Sequence, residues 1–165
     1  MKKTATLWLT LLLCLAELAL AQTPPKDAET LARQVIAALE TKDERALKAL
    51  SIDRAEFTKY IWPTLVARVG GQGVSADKFF VNYSNTSDFG LKQHLTDLGG
   101  KKFEFVKWDS GPEDTHKGYR LVPNPEIVLK NQSGQEQTLR LGSALLEHDG
   151  IVKVASYFRS PAAGK

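Results

Sequence analysis

The chain has one cysteine in 165 residues, Cys14, and it sits in an apolar stretch near the start. A folded domain that begins after that stretch has no thiol. That excludes a disulfide framework, a thiolate nucleophile and a cysteine-ligated metal. Histidine is also scarce: His94, His116 and His148 are the three present. No two of them stand four residues apart, the spacing that puts two metal-binding histidines on one helix face. Neither a metal nor a cofactor is expected. Charge of one sign is missing as well. The 22 Lys and Arg residues nearly balance 19 Asp and Glu, leaving +3, and the signs are mixed along the chain. The longest basic cluster is "GGKKFEF", which reads as a solvated strand start. Nucleic acid would require a concentrated basic face, so it is not an expected partner. No repeat and no low-complexity tract occurs.

What is present begins with "MKKTATLWLTLLLCLAELALAQTPPK". Lys2 and Lys3 precede an apolar run from Leu7 to Ala16, followed by Glu17 and the small-x-small triplet Ala19-Leu20-Ala21. This is the layout of a secretory signal peptide. The run is shorter than the ~20 apolar residues of a membrane-spanning helix, and Glu17 interrupts it. We expect cleavage after Ala21, a periplasmic or secreted destination of bacterial type, and no stable membrane anchor afterwards. Lipidation at Cys14 is disfavoured. Leu13 replaces the small residue that would precede it, and "LAELALA" is no polar tether. The expected organisation is a signal peptide over 1–21, a linker over 22–26, a single domain over 27–160 and a tail over 161–165. Removing the first 21 residues leaves 144, enough for one domain to bury roughly two-thirds of its unfolded surface.

The first half of that domain has a helical period. "KDAETLARQVIAALET" puts Ala28, Leu31, Ala32, Val35, Ala38 and Leu39 on one stripe. Asp43 is placed to cap a short second helix over "DERALKALS", with Ala46, Leu47 and Leu50 on its apolar side. Asp53 and Glu56 have capping-box spacing and open a third helix. Pro63 is expected to end it near Trp62. "ARVGGQGV" reads as a connection, and Ser75 as the cap of a fourth helix that stops at Gly99-Gly100. The second half changes period. "KKFEFVKW" alternates as a strand, "DSGPEDTHKG" reads as a loop, and "YRLVPNPEIVLK" as a strand broken at Pro123 and Pro125. "EQTLRLGSALLEH" reads as one strand with Leu139, Leu141, Ser143 and Leu145 on one face. Asp149-Gly150 is a hairpin signal, and "IVKVASYF" closes the sheet. Helices followed by an antiparallel meander define an α+β fold, with N-terminal helices packed on a curved four-stranded sheet.

Two segments carry a resemblance. "AALETKDERALKAL", Ala37 to Leu50, is similar to the opening of nuclear-transport-factor-like domains, the superfamily that includes ketosteroid isomerase. "LRLGSALLEHDGIVKVASYF", Leu139 to Phe158, resembles their closing hairpin. The resemblance covers 34 residues and implies a cone-like roll with a pocket between helices and sheet. It also suggests an exported bacterial family of that type. Such folds host enzymes, ligand carriers and interaction modules, so the resemblance leaves activity open.

The candidate chemistry centres on "VNYSNTSDFGLKQHL", Val81 to Leu95. At ~100° per residue, Phe80, Leu91, Leu95 and Leu98 share one helix face. Ser84 and Ser87 fall inside that face, and Tyr83 and His94 lie on its flank. Buried hydroxyls require partners. These either bond the preceding turn of backbone or line a pocket. His94, Tyr83, Ser87, Ser84 and, from the first strand, Trp108 are the candidate ligand-binding residues. Trp62, Tyr119, Tyr157 and Phe158 are further aromatics available to a core or a pocket wall. His116 and His148 read as surface histidines of a loop and a turn. Asp88, Asp109, Glu113 and Asp114 form no paired set that assigns a general base. Ser143 lacks the strand-turn-helix setting of a nucleophile elbow and reads as a small inward residue. "GGQG" lacks the lysine of a phosphate loop. The Asn-x-Ser triplets at Asn82, Asn85 and Asn131 matter only in a eukaryotic secretory pathway. No catalytic residue is assigned. The reading favours a domain that binds a small apolar ligand or a protein partner, and a homodimer is compatible with it. The alternatives are a small cofactor-free lyase, isomerase or hydrolase using His94 and Tyr83, and a structural or envelope accessory protein.

Overall fold

The computed structural model describes residues 23–69, 73 and 75–157. The expected leader, its cleavage point and Phe158 lie outside these residues. Helices come first and antiparallel strands second, so the fold is α+β.

Helix α1 (Ala28–Thr41) is capped by the Asp27 side chain, which accepts from the Thr30 amide, and it buries Leu31, Ala32, Val35, Ile36, Ala38 and Leu39. Asp43 caps α2 (Glu44–Ala49) in the same way through the Ala46 amide. The capping box of α3 (Arg54–Glu56) is complete: Asp53 accepts from the Glu56 amide, and the Glu56 carboxylate accepts from the Asp53 amide. Each cap satisfies a first-turn N–H that has no intrahelical partner.

The third helix does not stop at Pro63. It widens into a π turn (Phe57–Ile61) and continues as α4 (Trp62–Val69), where Pro63 occupies the first turn. The Trp62 amide bonds the Phe57 carbonyl, five residues back. Proline disrupts a helix by lacking an amide and by crowding the carbonyl four residues earlier. A wider turn just before it relieves that crowding, as π bulges do. Ala67 to Val69, expected in a connection, therefore belong to a helix.

Helix α5 (Ala76–Leu98) runs uninterrupted through the polar stretch and Gly90. Ser75 caps it and Gly99 follows its end. Its two halves serve different cores. Phe79, Phe80 and Tyr83 pack with Phe57, Tyr60, Ile61 and Leu146. Leu91, Leu95 and Leu98 pack with the buried side chains of α1, α2 and the strands.

The strands are β1 (Phe103–Asp109), β2 (Asp114–His116), β3 (Tyr119–Pro123), β4 (Glu126–Asn131), β5 (Glu136–Arg140), β6 (Ala144–His148) and β7 (Ile151–Val154). They form two antiparallel sheets, ordered β1-β4-β5 and β2-β3-β6-β7, where the sequence suggests one. Part of "DSGPEDTHKG" is strand β2 rather than loop. The prolines do more than weaken a strand. The chain leaves the four-stranded sheet at Pro123 and enters the three-stranded one at Glu126, with Asn124 in the left-handed region at φ 49°. The single strand expected over "EQTLRLGSALLEH" likewise divides at Leu141-Gly142-Ser143.

The two breaks lie side by side and are stitched together. The Asn124 amide bonds the Ser143 carbonyl at 3.1 Å, and Leu141 bonds Pro125 at 2.9 Å. The Ser143 amide bonds the Ser156 carbonyl at 3.0 Å. A Cβ on Gly142 would lie 2.0 Å from that Ser156 oxygen, so only glycine fits this approach. The β6–β7 turn is the expected one, with Asp149 and Gly150 both at positive φ, 49° and 72°. The four-stranded sheet is covered on both sides. Val122, Leu145 and Val154 face the core with α1 and α2, while Leu121 and Leu146 face the aromatic core with the π turn and α5.

Candidate functional site

A cleft of about 490 Å³ opens between α4, the first half of α5 and the four-stranded sheet, beside the seam. Its helical wall is Ile61, Thr64, Leu65, Phe79 and Tyr83. Its sheet wall is Leu121, Pro123, Ser143, Ala144, Ala155 and Ser156. The cavity follows from residue size. The floor is built of small side chains from "GSA" and "AS", brought together where β6 and the end of β7 meet. The opposite wall is built from rings that pack against Phe57, with Phe79 stacked at 6.2 Å and Tyr83 tilted at 4.8 Å. Small residues facing large rigid ones leave space that neither side fills.

The polar groups of the cleft are grouped. The Ser143 and Ser156 hydroxyls bond each other at 2.8 Å. Tyr83 projects beside them from α5. Burial pushes its hydroxyl up to about 12, with the Ser156 and Ser143 hydroxyls offsetting part of that rise. The phenol is therefore neutral near pH 7 and acts as both donor and acceptor. Thr64 and Tyr119 form a second hydroxyl pair at 3.1 Å on the helix side. Among the described residues that line the cleft, Asp114, on β2, is the one that carries a charge. Its side chain is 49% exposed and its carboxylate lies 3.4 Å from His116 Nε2.

The five residues singled out from the sequence are dispersed. Tyr83 lines the cleft. Ser84 bonds its own helix, donating to the Val81 carbonyl at 3.0 Å. Ser87 accepts the Tyr157 amide at 3.0 Å and so ties α5 to the chain after β7. These serines border a void of only about 40 Å³, roughly the share of liquid volume of one water molecule. His94 is buried, with its ring edge-on to Tyr157 at 6.2 Å. It lines a different hollow, with Asp97, Gln137 and Arg140. His94 and Tyr83 share a helix face but stand roughly 16 Å apart along the axis. Trp108 packs half-buried against the aliphatic core.

Two histidines read as surface residues are engaged. His148 is largely buried, stacked on Tyr60 at 4.7 Å, with Nε2 3.0 Å from Glu56 and Nδ1 3.3 Å from Asp149. Lys153 adds its ammonium to the same Glu56 carboxylate at 2.9 Å. His116 stacks on Tyr119 at 4.6 Å. A tight turn says nothing of these partners, because Glu56 lies ninety-two positions from His148. The sequence reading also passed over Ser156 and Thr64, and it weighed Asp114 only as a general base and assigned it no role. The usable signal was the pair of small-residue clusters, Gly142-Ser143-Ala144 and Ala155-Ser156, of which only Ser143 was read, as a small inward residue.

Chemically, the described residues of the cleft offer apolar walls, neutral hydroxyls and one carboxylate. None of the three histidines lines it, and Ser143 is bonded to a hydroxyl rather than to an imidazole base. Among the described residues no group of three or more His, Cys, Asp or Glu is arranged to hold a metal ion, and no helix is long and apolar enough to cross a membrane. No family model, no curated protein and no solved structure matches the chain.

Proposed function

We propose that this protein is a binding domain for a small, largely apolar molecule held in the cleft between α4, α5 and the four-stranded sheet. The observation that carries this reading is the about 490 Å³ cleft with apolar walls, in which Tyr83, Ser143 and Ser156 present neutral hydroxyls together. Ligand sites are typically concave, apolar and provided with a few convergent polar groups. The walls supply affinity by burying apolar surface, and the hydroxyls orient one hydrogen-bonding group of the ligand. The separation of His94 from Tyr83 supports binding over catalysis by that pair.

The proposal includes a fold of the nuclear-transport-factor-like kind, with the two sheets as halves of one bent meander. The pairing across the seam supports this. Asp109 opposite Glu126 and Asp114 opposite Leu121 lie in one continuous register. The β4–β5 and β3–β6 registers differ by the single residue that a bulge at Gly142 supplies. The leader-like sequence of residues 1–21 supports an activity outside the cytoplasm.

Calorimetric titration with 1-decanol tests the reading. Binding is expected in the native protein and is expected to vanish in Ala144→Phe, which fills the cleft while circular dichroism and melting remain native-like. Because overpacking can unfold a domain, Leu65→Trp serves as a second filling variant from the other wall. Undiminished binding in a folded filled variant would sink the proposal.

A further inference from the structure

We propose that the molecule taken by the cleft carries a neutral hydrogen-bonding oxygen, hydroxyl or carbonyl, at each end of its apolar body. This inference rests on the binding reading above and names the chemical class of the ligand. It follows from the placement of two hydroxyl pairs. Ser143 and Ser156 form one pair, where β6 begins beside Pro123. Thr64 and Tyr119 form the other, where β6 ends, since Tyr119 is paired with His148. From Tyr119 to Pro123 is four residues, or ~13 Å along a strand. Leu121 lies between them on the same face of β3, and Ile61, Leu65 and Phe79 stand opposite. Asp114 stands beside Leu121 at the half-exposed rim, engaged with His116. The polar groups are thus gathered at the two ends of a largely apolar slot.

Hydroxyl chemistry gives each pair the same surplus. A hydroxyl has one proton and two lone pairs. A bond within a pair uses one proton, so the accepting hydroxyl keeps its own to donate, and lone pairs remain on both oxygens. Tyr83 adds a third hydroxyl at the Ser143 end. Ser156 is 6% exposed, and the bond between Thr64 and Tyr119 is partly buried. Polar groups placed in this way are matched by hydrogen bonds. An apolar molecule with a single oxygen matches one end and lays hydrocarbon against the other. A molecule with an oxygen at each end matches both, with its body against Leu121, Leu65 and Phe79.

Calorimetric titration of linear 1-alcohols and α,ω-diols of six, eight and ten carbons tests this. A second hydroxyl buried without a partner weakens binding about tenfold or more. A diol whose length fits the slot is instead expected to bind within about threefold of the 1-alcohol of equal length. Thr64→Val combined with Tyr119→Phe removes both hydroxyls of one end at nearly constant volume. In that variant the same diol is expected to fall about tenfold relative to its 1-alcohol. Every diol binding at least tenfold more weakly than its 1-alcohol in the native protein would overturn this inference while leaving the binding reading intact. A diol-to-alcohol ratio unchanged in the double variant would do the same. The native comparison needs no variant, so it decides even where the double substitution destabilises the fold. Failure of the alcohols and the diols alike to bind would remove the binding reading itself, and this inference with it.

Discussion

The two faces of the four-stranded sheet are packed by different means. On one face Val122, Leu145 and Val154 meet Leu31, Val35, Leu39 and Leu47, and nearly every member of that aliphatic core is at or below a few per cent exposure. On the other face Leu121 and Leu146 meet Phe57, Tyr60, Trp62, Phe79, Phe80 and Tyr83, several of which are only partly buried. Branched aliphatic side chains interdigitate and close a core to near-crystalline density. Rings packed at tilted angles have fixed shapes. Where the surface opposite them is alanine and serine, they cannot collapse onto it. One sheet therefore carries a sealed core on one side and an open cleft on the other, and α5 spans both.

This contrast predicts unequal responses to the same substitution. Leu129→Ala, in the sealed core at 0% exposure, is expected to cost about 2–5 kcal/mol in urea denaturation, the transfer term plus a cavity. Ile61→Ala, which borders space that already exists, is expected to fall at or below the lower end of that range, about 2 kcal/mol. Equal losses at the two sites would break the contrast.

A smaller effect is expected where the two halves of the chain are tied together. Glu56 accepts from the Asp53 amide, His148 and Lys153, and its side chain is 13% exposed. Glu56→Gln leaves two cationic or potentially cationic partners without their carboxylate, at a cost of about 2 kcal/mol. The loss should appear mainly at the aromatic end, as faster hydrogen exchange in the π turn than in α1. Uniform acceleration would show that the two faces unfold as one unit.

The smallest effect is alkaline. Burial raises the hydroxyl pKa of Tyr83, and more strongly that of Tyr157, whose OH donates to the Leu47 carbonyl at 2.8 Å. A phenol whose pKa rises on folding holds its proton more tightly in the folded state. Its contribution is complete below the ordinary value of 10.0 and is lost as pH rises towards about 12. Stability is expected to fall across that window, and to fall less steeply in Tyr83→Phe. An identical slope in the variant would place the whole alkaline loss elsewhere, with Tyr157 in the sealed core the first candidate.

The polar notch on α5 shows where sequence reading succeeded and where it stopped. Helical spacing from Phe80 to Leu98 identified one helix, and the structure has one. Spacing also put Ser84 and Ser87 on the packed side, but it could not say what they meet. The notch lies where the helix passes from the aromatic core to the aliphatic one. Ser84 turns back to its own helix there, and Ser87 receives an amide from seventy positions away. Pro63 was read correctly as an obstacle and wrongly as an end, because a π turn is an accommodation that propensity does not encode.

By itself the sequence determined that helices come first and antiparallel strands second, the caps at Asp43, Asp53 and Ser75, and the Asp149-Gly150 turn. Each of these is decided by groups within about four residues of one another, so local chemistry suffices. The tertiary structure alone decided the division into two sheets at Pro123–Pro125 and Gly142, and the burial of His148 against Glu56. It also gathered Tyr83, Ser143, Ser156 and Asp114 around one cleft. Those depend on close approaches between distant segments, above all the contact of Gly142 with the Ser156 carbonyl. Which residues border the space left between rings and small side chains is set by packing in three dimensions.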